Sequence, residues 1–194
     1  MKTRIYNEGQ LIKERLADIS DYIYNNPELG NEEYKAVEAL TTFLKEHDFK
    51  VETSIAGMDT AFKATFDSGK PGMIIGYLCE YDALPKIGHG CGHNMIGVMS
   101  AGAGVALSKV LHEIGGKVIV YGTPAEETNG GKVILAEAGV FDELDAAMIV
   151  HPDGETRASG SSRGLALGPR RPRFYQTSSV LPFYIYSIPP SYLI

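Results

Sequence analysis

Three short uninterrupted apolar runs, at residues 73–79, 117–122 and 146–150, constrain the fold of this 194-residue chain more than any other feature. A strand with one wet face alternates apolar and polar side chains. A run that is apolar throughout belongs to a strand covered on both faces, as in a parallel sheet between helical layers. The intervening segments supply those layers. Ile12, Leu16, Ile19 and Ile23 recur at helical spacing and stop at Asn25-Asn26-Pro27. A second helix follows, with Asn31 as its candidate cap, Glu32 and Glu33 at the positive end of its dipole, and Ala36, Leu40, Phe43 and Leu44 on its apolar face. Residues 60–66 alternate as a strand, residues 95–114 read as a long helix rich in small residues, and residues 131–138 as a short helix ending at Gly139. The expected fold class is α/β, layered, with a mostly parallel sheet and flanking helices.

Charge divides the chain in two. Residues 1–162 hold all 24 acidic residues and 14 of the 18 basic ones, a balance of 14 − 24 = −10, whereas the last 32 residues carry four arginines and no acid. That last segment also holds prolines 169, 172, 182, 189 and 190, which interrupt regular elements. Two units are therefore expected: a folded region at 1–162 and a proline-rich, poorly packing tail at 163–194. A shifted or misjoined reading frame would produce this composition, and a proline-rich surface extension is the alternative. The net charge of −6 argues against a nucleic-acid partner. No signal-peptide core develops after Met1, and no apolar run reaches membrane-spanning length, so a cytoplasmic location without membrane partners is expected. Cys79 and Cys91 cannot build a disulfide framework, which suits a reducing compartment.

The polar residues concentrate where the apolar runs end. Residues 73–79 lead into Glu80-Tyr81-Asp82, residues 117–122 into Glu126-Glu127, and residues 146–150 into His151. In open α/β sheets, sites form outside the carboxyl ends of strands, so these clusters can converge. The loop GHGCGHN at 88–94 adds Cys91 and His93, one glycine apart and able to turn toward one centre. A thiolate, two imidazoles and a carboxylate make a plausible shell for zinc or a related divalent ion. Of the pair Glu126 and Glu127, one carboxylate can hold metal while the other takes a proton from attacking water and returns it to a leaving amine.

Each residue alone has a plainer reading. His47 and His112 lie near helix ends as surface residues, Cys79 fits the core, and His89 lines its loop. Asp82 suits either a turn or a position behind the metal ligands. Cys91 as a nucleophile with His93 as its base is awkward at such close spacing.

EYDALP at 80–85, GHGCGHN at 88–94, GTPAEE at 122–127 and His151-Pro152 together resemble the motifs of the di-zinc aminoacylase and amidohydrolase metallopeptidases. The resemblance covers roughly residues 10–162. It is nearest the branch of aminobenzoyl-glutamate hydrolases, auxin-conjugate hydrolases and β-alanyl-lysine-type dipeptidases. It implies metal-dependent hydrolysis of an amide bond in an N-acyl-amino acid or dipeptide. It also implies two divalent ions, zinc with manganese or cobalt as alternatives, on Cys91, His93, Glu127 and His151. Glu126 would be the general base and Asp82 an acid of the catalytic motif. Asn94 stands where many relatives have Asp. The family's inserted lid or dimerisation domain and its last metal-binding histidine follow this region, and no histidine follows His151 here. Homodimers are expected of full-length relatives. The alternative expectation is an inactive fragment that binds metal or associates with another chain.

Overall fold

The structure is a computed structural model, and it describes residues 1–152 together with 173–174 and 183–187. The chain begins with helix α1 (Lys2–Asn25) and helix α2 (Tyr34–Glu46), followed by strands β1 (Lys50–Thr53), β2 (Phe62–Asp67) and β3 (Ile74–Cys79). Helix α3 (His93–Ile114), strand β4 (Lys117–Gly122), helix α4 (Gly131–Glu137) and strand β5 (Ala146–Val150) complete the alternating part.

The expected α/β class holds, and the parallel strands are those of the three apolar runs. Sheet order is β1-β2-β4-β3-β5-β7-β6, with β3 running parallel to both β4 and β5. On one side, β2 joins β4 antiparallel and β1 joins β2 in the same way. The expected tail beyond residue 162 lies outside the described residues except for β6 (Arg173–Phe174) and β7 (Phe183–Ser187). These two strands extend the β5 edge antiparallel. They fit between Pro172, Pro182 and Pro189, because proline ends a strand without forbidding one beside it.

Both faces of the central strands are covered. Val118 and Val120 of β4 face the cluster formed with Ile19, Ile23, Leu40, Phe43 and Val105 from the first three helices. Ile119 and Tyr121 point the other way, toward Leu78, Leu144 and Ile149. This alternation within a wholly apolar strand is what two covered faces require. Helix α3 is long and apolar enough to cross a bilayer by composition, yet most of it is buried here as a core helix.

The start of α2 corrects one expectation. The orphan N–H groups of Lys35 and Ala36 donate to the Glu28 carboxylate, at 2.8 and 3.1 Å. Asn31 instead takes a left-handed φ of 70° and its side chain donates to Asn129. Glu33 is not a solvated charge at the helix dipole but is fully buried.

Sheet order places β3 between β4 and β5, so the connection from β4 to β5 crosses over the β3 position. The carboxyl ends of these three strands therefore flank the point where the winding reverses.

Candidate metal centre

Glu80, Tyr81 and Asp82 leave β3 directly, and the glycine-rich loop returns the chain so that His93 becomes the first residue of α3. Gly92 makes that turn at φ 81°, and a Cβ there would lie 2.9 Å from the Pro152 ring. Glycine is thus required for both backbone conformation and space. Asn94, one residue on, donates to the Ser20 hydroxyl at 3.0 Å and ties the start of α3 to α1.

Asp82 joins the loops. Fully buried, it accepts from His93 Nδ1 at 2.9 Å through Oδ1 and from the Glu127 backbone N–H at 3.0 Å through Oδ2. Burial works to raise its pKa, but these bonds hold the carboxyl below its ordinary range. Both oxygens facing His93 Nδ1, the Asp82 carboxylate and the Asp82 carbonyl, are acceptors. The proton therefore sits on Nδ1, and in the neutral ring the Nε2 lone pair is free. His151 is fixed in the same sense, with Nδ1 donating to the Pro152 carbonyl at 2.7 Å. The two rings stand perpendicular with centroids 5.8 Å apart.

Around His93 the donors form two groups. Glu80, His93 and His151 bring one ligand atom each within 4.8 Å of one another, and so do Cys91, His93 and Glu127. Glu80 Oε1 pairs with the Lys132 ammonium of α4. Glu80 Oε2 and His93 Nε2 are buried without a hydrogen-bond partner among the described residues. Two inward-facing donors without hydrogen-bond partners, with His151 as a second imidazole of fixed tautomer beside them, fit a divalent ion.

The electrostatics agree. Burial lowers the His93 pKa, but the Asp82 hydrogen bond and the Glu80, Asp82 and Glu126 charges outweigh it and leave it raised. Burial, with the Glu127 carboxylate beside it, pushes the Cys91 thiol up to about 11. A thiolate there needs a cation. Glu126 is exposed. Partial desolvation and the Glu80 and Glu127 charges raise its pKa, against Lys132 and His93.

Five of the six residues singled out in the sequence, Asp82, Cys91, His93, Glu127 and His151, therefore meet at one place. Glu126 stands beside them and outside both donor groups. Glu80, Lys132 and Glu33 went unassigned. Glu33 Oε1 accepts from the Ala125 N–H at 2.7 Å, fixing the turn where Ala125 has a left-handed φ of 58° just before Glu126 and Glu127. Glu80 carried a signal, since it lies in the same strand-end cluster as Asp82. Glu33 carried none, because a glutamate at a helix start reads as solvated. His89 is buried near Tyr24, His112 is exposed, and Cys79 is in the core.

The chain is 40% identical over 157 residues to an Xaa-Arg dipeptidase of Mus musculus, covering 75% of this chain and 36% of the relative. It is 37% identical over 160 residues to a p-aminobenzoyl-glutamate hydrolase of Escherichia coli K12, covering 73% and 33%. The chain thus spans about a third of the length of these curated relatives. Among solved structures, one described as an aminohydrolase from methicillin-resistant Staphylococcus aureus superposes with a TM-score of 0.67 at 29% identity, over 75% of this chain and 41% of the other. A dinuclear metal-binding peptidase of the M20 family from Bacillus subtilis shares the fold with a TM-score of 0.64 at 24% identity, over 71% and 42%. No family model matches the chain.

Proposed function

We propose that the chain belongs to the aminoacylase-like family of amidohydrolases and metallopeptidases, and that its site serves hydrolysis of the amide bond in an N-acyl-amino acid or dipeptide. The observation that carries this reading is the meeting of Cys91, His93, Glu127 and His151 beside Glu126, at the ends of three parallel strands. The two curated relatives are named as a dipeptidase and an aminobenzoyl-glutamate hydrolase, and both named substrates are amides of an amino acid.

Cys91, His93, Glu127 and His151 would hold two divalent ions, with zinc the first candidate and manganese or cobalt the alternatives. When bound, the ions polarise the scissile carbonyl and make the attacking water more acidic. Glu126 takes a proton from that water as its oxygen bonds to the carbonyl carbon. It returns the proton to the amine nitrogen as the C–N bond breaks, so a carboxylic acid and a free amine leave. Solvent access suits this shuttle, and the raised pKa of Glu126 brings it toward the operating pH. Asp82 touches neither reacting atom; it positions His93 and the Glu127 backbone.

A second reading is metal binding without turnover. Glu126 standing outside both donor groups is the observation that favours it. Glu126→Gln separates the two. Under the hydrolase reading, metal content measured on the purified chain is unchanged, while cleavage of N-acyl-amino acids and dipeptides falls by about 100- to 10,000-fold. Metal uptake with no Glu126-dependent cleavage would leave only the second reading.

A further inference from the structure

We propose that Glu80 is itself a metal ligand, forming with His93 and His151 the shell of one divalent ion, while Cys91 and Glu127 belong to the other side of the centre. This assignment rests on the metal-centre reading above. Glu80 is 3% exposed and His93 fully buried. Glu80 Oε2 and His93 Nε2 stand 3.3 Å apart, yet neither makes a hydrogen bond among the described residues. An imidazolium and a carboxylate left to themselves would align N–H on oxygen. Two atoms that face a common third point need not. Ligands each about 2.0–2.2 Å from one ion are themselves roughly 3–3.6 Å apart, and the observed separation falls in that interval.

The neighbours favour the same assignment. Lys132 holds Oε1 from α4 and so leaves Oε2 directed inward as a single donor. His151 supplies the third atom, all three lying within 4.8 Å of one another. His93 has only Nε2 to give, since Nδ1 is bound to Asp82, and it cannot serve both donor groups at once. Glu127 Oε1 is 3.9 Å from Nε2, farther than Glu80, and Cys91 is partly exposed. The first ion therefore goes to the Glu80 side.

The test is uptake of Zn²⁺ by the purified chain in competition with a chromophoric chelator. Glu80→Gln keeps the volume and an acceptor for Lys132 and loses the anionic ligand. It is expected to weaken the first equivalent at least tenfold, the lower end of what even an outer partner of a metal ligand contributes. Lys132→Met, which removes the ion pair and leaves the carboxylate, is expected to retain that equivalent. Equal affinity in Glu80→Gln and the parent overturns the assignment, as does equal weakening in both variants, which would make Glu80 only a partner for Lys132. X-ray absorption on the parent loaded with one equivalent needs no variant to fold: nitrogen and oxygen scatterers are expected, and sulfur in the first shell overturns the proposal. A parent chain that takes up no Zn²⁺ overturns the metal-hydrolase reading and this assignment together, whereas the other failures leave that reading standing.

Discussion

Two buried carboxylates act on this site through other residues, and they differ in what protonation does to them. Asp82 orients an imidazole through one oxygen and a ligand-bearing loop through the other. Asn at this position offers one acceptor in place of two, and its amide nitrogen meets a donor. Asp82→Asn is expected to lower metal affinity by about 10- to 100-fold, read by chelator competition. Glu33 is the opposite case. Burial raises its pKa above the ordinary carboxylate value, against the Ala125 N–H bond that favours the charge. Its contribution to stability is full below the unfolded-state pKa and declines as pH rises through the folded one. Glu33→Gln keeps an acceptor for Ala125 and cannot ionise. It should melt with the parent at about pH 4 and above it at about pH 8, by differential scanning calorimetry. Cys91, His93 and Glu127 were legible because their residue types and glycine context announce ligands. Glu33 was not, because its surroundings are the Ala125 turn, Thr60 and Tyr81, far away in sequence.

Among the elements, legibility followed burial. The bounds of β4 and β5 agree with the apolar runs, because strands covered on both faces carry their environment in composition. β1 left no signal: its four residues are almost wholly exposed on the edge of the sheet. α1 starts at Lys2, ten residues ahead of the first apolar contact at Ile12, since its opening turns are mostly solvated and show no apolar stripe. The antiparallel direction of β2 is set by its partner β4 and by nothing in its own sequence. Helix packing makes the sharpest element-scale prediction, because two helical glycines should respond in opposite directions to the same substitution. A Cβ on Gly9 of α1 meets nothing within 4 Å, so Gly9→Ala should stabilise by about 0.5–1 kcal/mol. A Cβ on Gly104 of α3 would lie 2.5 Å from Val120 Cγ2, a stiff side chain fixed in the sheet. Gly104→Ala should destabilise by about 1–3 kcal/mol, and urea midpoints for the two variants should fall on either side of the parent.

For the molecule as a whole, the centre joins what the chain order separates. β3, α3, the β4–α4 loop and the end of β5 each contribute a donor, and the only covalent link between them is a long path through the fold. An ion held there binds the folded chain and not the unfolded one, so its binding free energy adds to folding stability. At a free metal concentration about 100 times the dissociation constant the gain is about 2.7 kcal/mol, seen as a higher melting temperature that a chelator reverses. The sharing of His93 makes this test discriminating. His93→Ala removes the imidazole assigned to the Glu80 side, a member of both donor groups, and should abolish the shift seen at one equivalent of metal. Cys91→Ala removes a member of one group only, so a shift at one equivalent of metal should persist and the further gain at excess metal should shrink. Loss of the whole shift in Cys91→Ala would mean that the thiolate side holds the first ion, and that the three strand ends are fastened there and not through Glu80.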